Sequence, residues 1–148
     1  MYRKVLVPLD GSQLAECTLN HIKALRKEGS LGEVTLLTVA VTNYPYVVMR
    51  PDFNLDSFRN DRLTEARDYL NHLQSHLREE GISVDTIVIE GDIPAQAIVD
   101  CALEHGVDLI VIASHGYTGI KKLMFGSVAL SVLHDSPVPV LFIKPESC

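Results

Sequence analysis

The clearest chemistry in this sequence lies in one glycine-spaced stretch. Residues Ala113–Val128 read ASHGYTGIKKLMFGSV, with Gly116 and Gly119 in a short loop and Gly126-Ser127 where a helical pattern begins. Glycine lets backbone N–H groups approach an anion with no Cβ in the way. A helix N-terminus adds unpaired N–H donors and a dipole that favours phosphate. Ser127 brings a hydroxyl, and Lys121 and Lys122 raise the local positive potential. An equally open reading of the same residues is a helix N-cap at Ser127 with glycines that only turn the chain. On residue types alone the two stand even.

Asp10, in Leu9-Asp10-Gly11-Ser12, is the second group of interest. Its carboxylate can accept hydrogen bonds from an amino group. Against phosphate it would repel, unless a Mg²⁺ or Mn²⁺ ion lay between. Its simpler role is to cap the following helix, and Asp92 before Pro94 reads as a cap in the same way. His115 lies inside the glycine stretch, but no second His, DxD or Cys stands at a useful distance, so it reads as a satisfied loop histidine. His72 and His76 are spaced i,i+4 without a third ligand, and a solvated helix face explains them better than a metal site. The P-loop GxxxxGK(S/T), a GxGxxG after the first strand and SGGxDS do not occur, which removes the P-loop ATPase and dinucleotide dehydrogenase readings.

These groups need elements to position them. Five strand-like runs alternate with four helical segments. The runs are Lys4–Leu9, Val34–Val41, Ser83–Glu90, Asp108–Ala113 and Val140–Ile143. The first helix carries Leu14, Thr18, Ile22 and Leu25 on one face and stops at Gly29. The second, Ser57–Glu80, repeats Leu63, Ala66, Leu70, Leu73 and Leu77. Pro94 opens the third, where a missing N–H costs nothing, and the fourth begins near Ser127. Continuous apolar strands imply a parallel sheet covered on both sides. Right-handed crossovers then predict a single-domain, doubly wound, five-stranded parallel sheet over residues 1–148, Rossmann-like, with helices on both faces. In the order 3-2-1-4-5 the reversal lies between strands 1 and 4, so the loops at Asp10–Ser12 and Ala113–Gly119 face each other. Thr42–Asp56, with two prolines and three aromatics, breaks the rhythm. A lid, a dimer contact and a mobile loop all remain open for it.

With 148 residues the chain has room for a core that needs no staple. A net charge of −6 argues against a general nucleic-acid or membrane binder. Apolar runs are too short to span a bilayer, and Met1-Tyr2-Arg3-Lys4 leads straight into a strand, leaving no signal peptide. Cys17, Cys101 and Cys148, odd in number and scattered, read as reduced thiols in the cytoplasm.

The span from Ala113 resembles the nucleotide motif of the universal stress protein family, G-x2-G-x9-G-(S/T). Gly116 takes the second glycine and Gly126-Ser127 the end, while Ala113 stands where the motif begins with glycine. The resemblance extends to Val5–Ser12, Leu36–Val39, Gly91–Pro94 and Pro137–Ile143, and so to essentially the whole chain. It implies an ATP site, with or without Mg²⁺ or Mn²⁺. Asp10 and the backbone of Val39 would surround the adenine, with Pro8 and Leu9 as the neighbouring wall. Gly116, Gly126, Ser127 and Val128 would hold ribose and phosphates, with Ala113, His115 and Gly119 in the same motif. It also implies a homodimer through Val138–Ile143, an apolar edge that tends to pair with a second copy. The function so implied is a dimeric, cytoplasmic, nucleotide-binding signalling module of the stress response. A slow hydrolase with a metal on Asp10, and a structural dimer that takes no nucleotide, are the alternatives.

Overall fold

The structure is a computed structural model, and it describes residues 1–43, 52–114 and 126–144. Strand β1 spans Tyr2–Pro8 and helix α1 Gln13–Lys27, followed by β2 (Leu31–Ala40) and α2 (Leu55–Glu79). Then come β3 (Asp85–Glu90), α3 (Pro94–Glu104), β4 (Leu109–Ala113), α4 (Ser127–Asp135) and β5 (Val140–Ile143). The strands form one five-stranded sheet in the order β3-β2-β1-β4-β5, every neighbouring pair parallel. This is the doubly wound fold that the alternation of runs predicts.

Side-chain alternation along the central strands divides the core in two. Val5 and Val7 of β1, with Leu109 and Val111 of β4, enter the layer shared with α1 and α2. Leu6, Ile110 and Ile112 point the other way, into the layer under α3 and α4. Successive strand residues face opposite sides, so a strand covered on both sides must be apolar at every position. That is why hydropathy alone reveals these strands.

Several boundaries differ from the sequence expectation, each for a local reason. β2 begins at Leu31 rather than Val34, because Tyr2 pairs with Leu31. Gly32 hides that pairing from hydropathy, yet a Cβ there would collide with the Arg3 carbonyl. α2 begins at Leu55 rather than Ser57, since Asn54 caps it by accepting from the Ser57 N–H at 3.1 Å. Asp108 precedes β4 and accepts from the Arg3 and Lys4 N–H groups at 2.9 and 3.0 Å, tying β1 to it. Those two donors hold its carboxyl below the usual range. Asp92 is not the cap of α3: that helix has Ile93 at its N-cap, without a side-chain bond.

Cys101 keeps a free, buried thiol, pushed up in pKa by burial. Cys17, by contrast, is disulfide-bonded. That corrects the expectation of three reduced thiols and takes that support from a cytoplasmic location. Among the described residues no helix is long and apolar enough to cross a membrane. Of the Thr42–Asp56 connection, residues 44–51 lie outside the described residues.

Candidate functional site

The end of β1 runs into the turn Leu9-Asp10-Gly11-Ser12. Leu9 is locked to β2, its N–H donating to the Leu37 carbonyl at 2.8 Å and its carbonyl accepting from Thr38 Oγ1 at 3.1 Å. Gly11 reverses the chain with φ +85°, a conformation in which a side chain would be strained. Asp10 Oδ1 then accepts from both the Ser12 N–H at 2.9 Å and Ser12 Oγ at 2.5 Å. Ser12 Oγ in turn accepts from the Ala15 N–H at 3.1 Å. So the cap of α1 is Ser12 and not Asp10. Asp10 orients the cap and keeps an exposed carboxylate beyond the carboxyl end of β1, the central strand.

Opposite this turn, β4 ends at Ala113. It is buried, extended and paired with Ile143, so alanine meets no conformational cost where the family motif carries glycine. The Ser114 carbonyl accepts from the Gly126 N–H at 2.6 Å, which sets the start of α4 beside the end of β4. Gly126 is the N-cap, no side chain caps the helix, and Ser127 is its exposed first residue. The reading of Ser127 as an N-cap is therefore corrected. Its hydroxyl and the first-turn amides lie at a helix end that no protein side chain satisfies among the described residues.

Between these ends opens a cleft of about 670 Å³, of the size that holds small ligands. Pro8, Leu9, Asp10, Val39, Ala113, Gly126, Ser127 and Val128 all line it. His115, Gly116 and Gly119, like Lys121 and Lys122, lie outside the described residues.

Sequence reading missed one wall. Arg62, Glu65, Ala66 and Tyr69 of α2 also line the cleft. Their spacing of three, four and seven residues marks one helix face, but the heptad of leucines beside it drew attention to the core instead. The Tyr69 hydroxyl is buried and lies near the Glu16 carboxylate and the Gly11 backbone, with no well-formed hydrogen bond among the described residues. Burial, and then the nearby Glu16 and Asp10 carboxylates, hold that phenol protonated well above the usual tyrosine range.

The segment leaving β2 is pinned beside the cleft by Glu90. Its carboxylate accepts from Arg59 Nε at 2.6 and 2.8 Å and from Thr42 Oγ1 at 2.6 Å. The Arg59 bond first, and the Thr42 bond next, bring the Glu90 pKa down to about 2. This ties α2, β3 and the end of β2 together on one side of the opening.

Sheet order and cleft together define a doubly wound α/β protein with its ligand site beyond the carboxyl ends of the strands, where the order reverses. Comparison with known proteins narrows the class. The chain belongs to the universal stress protein family, whose model matches residues 1–144. Universal stress protein MJ0577 of Methanocaldococcus jannaschii is 33% identical to it, over 99% of this chain and 98% of that protein. The solved structure of MJ0577 superposes with a TM-score of 0.81 at 35% identity, covering 97% of this chain and 96% of the other. Universal stress protein YxiE of Bacillus subtilis is 33% identical over 97% of this chain and its own full length. A family protein of Arabidopsis thaliana, solved with AMP bound, covers 96% of this chain and 91% of its own at TM-score 0.66 and 19% identity, a likeness of fold alone.

Proposed function

We propose that the chain is an adenine-nucleotide-binding module of the stress response, taking ATP in the cleft and acting as a homodimer. One observation carries the proposal. Three segments distant in sequence, at residues 8–10, 39 and 126–128, converge on one cleft that ends on a helix N-terminus without a side-chain cap. Such an end supplies amide donors and a favourable dipole to phosphate. The Gly126 N–H is already used by Ser114, so the donors offered are those of the first turn and the Ser127 hydroxyl. Pro8, Leu9 and Val39 offer apolar surface to a base. The family match and the AMP-bound relative of the same fold support adenine nucleotide as the ligand class.

Among the described residues no cluster of three His, Cys, Asp or Glu could hold a metal ion by itself. The dimer would form through β5, which stands at the sheet's edge with Leu141 37% exposed; unpaired edges of this kind recruit a second strand.

The test is to denature purified protein, look for released adenine nucleotide, and titrate the apo form with ATP, ADP and AMP. Binding that survives undiminished in a Gly126→Asp/Ser127→Asp double variant would defeat the proposal, as would no binding by wild type. Light scattering on the eluting peak settles the dimer, and monomer alone at micromolar concentration counts against it.

A further inference from the structure

The cleft has two unlike ends, and the difference identifies a residue that reads the base. At one end lies the start of α4, beside β4. At the other lies α2, which packs on β2 and β3. From β4 across β1 to β2 is two inter-strand steps, about 10 Å. A nucleotide with phosphates at Ser127, lying along the carboxyl edge of the sheet, therefore meets Val39–Val41 and α2 with its base.

The polar side chains of that far end are uneven in sign. Asp10 and Glu65 are carboxylates and Arg62 is the one cation among the described lining residues. The Arg62 Nη1–Glu65 Oε2 pair is long, at 3.7 Å, with the side chains 44% and 71% exposed. A pair so placed contributes little and yields readily to a ligand. Carboxylates accept hydrogen bonds and cannot donate them. They repel phosphate, and they suit a group with N–H to give. The negative field at this end is also registered by Tyr69, whose phenol the Asp10 and Glu16 carboxylates help to keep protonated.

An exocyclic amino group carries two N–H donors, and two carboxylates line the cleft, Asp10 after β1 and Glu65 on α2. We infer that Glu65 contacts the base and accepts the second N–H of a 6-amino group, making α2 the wall that distinguishes a 6-aminopurine nucleotide from one lacking the amino group. This rests on the nucleotide reading of the cleft. It adds a specificity residue from an element outside the glycine motif and the first-strand turn.

The experiment compares ATP with purine riboside triphosphate, which lacks only the amino group, on wild type, Glu65→Ala, Glu65→Gln and Glu79→Ala. Glu65 is exposed on a helix surface, so its variants fold, and matched thermal unfolding checks this. Glu79 lies outside the cleft lining and controls for the loss of one negative charge. Glu65→Ala should weaken ATP about tenfold, the loss of one charge-assisted hydrogen bond, and leave the deaminated analogue unchanged. Glu65→Gln, which keeps a carbonyl acceptor, should recover part of that loss, and Glu79→Ala should bind as wild type. Equal losses for the two ligands, no loss, or a wild type that does not distinguish them would overturn the inference while the nucleotide reading stands. A wild type that binds neither overturns both.

Discussion

Ser12 caps α1 and holds Asp10 in place, so Ser12→Ala perturbs helix and site together. The variant removes the acceptor of the Ala15 N–H, bonded at 3.1 Å, and the donor to Asp10 Oδ1 at 2.5 Å. Loss of a serine N-cap costs about 1 kcal/mol, with a range of roughly 0.5–2. The Asp10 contact adds little more, because that carboxylate is exposed and water replaces the lost donor. The expected total is about 1.5 kcal/mol, and at roughly 2–4 °C per kcal/mol for a chain of this size the melting temperature should fall about 3–6 °C. Calorimetry on wild type, Ser12→Ala, Asp10→Ala and the double variant forms a cycle. The shared bond predicts a coupling of about 0.5 kcal/mol. Nucleotide affinity should fall in Ser12→Ala as well, since Asp10 retains only the Ser12 N–H of this pair. An additive cycle, or a variant as stable as wild type, would refute the linkage of cap and site.

Two further predictions concern the cleft's margin. Tyr69→Phe removes a buried hydroxyl that makes no well-formed hydrogen bond among the described residues, so it should be neutral or stabilising by up to about 1 kcal/mol; a clear drop in denaturant midpoint would show that Glu16 or the Gly11 backbone holds it. The same phenol should stay protonated well above the ordinary tyrosine range, so its contribution to stability is present below the unfolded pKa and is lost only as pH rises beyond it. Ultraviolet difference titration reads this directly. Glu90 has a folded pKa of about 2 against an ordinary 4.5, so its contribution is complete above 4.5 and is lost as pH falls from there toward 2. Glu90→Gln should therefore be less stable than wild type at neutral pH and flatter across that acid window. Parallel pH–stability curves would contradict the assigned role.

Much of this was legible in the residues because the sheet is buried on both sides. Leu109–Ala113 and Val5–Val7 must be apolar at every position, and glycine or proline marks most element ends. Legibility failed where tertiary contact overrides composition. Gly32 and Glu33 look unlike a strand, yet they pair because the Arg3 carbonyl approaches a glycine with no Cβ. Asp92 looks like a cap, but Ile93 takes the N-cap position. The two ends of the cleft could be named from spacing, since strand order dictates which loops meet. Its α2 wall could not, because nothing local distinguishes Glu65 or Tyr69 from an ordinary helix surface until the helix is laid over β2 and β3. Ala113 shows the reverse case: the sequence marks it as a departure, while the strand position makes it sterically plain.

Residues 8–10, 39 and 126–128 are proposed to form one adenine-nucleotide site. Isothermal titration of nucleotide-free protein with ATP, on wild type and on Gly126→Asp/Ser127→Asp, tests it most directly. Wild type should bind one nucleotide per chain saturably, and the double variant, where two carboxylates meet the phosphate end, should lose that binding. Silence in wild type, or equal binding by both proteins, would contradict it.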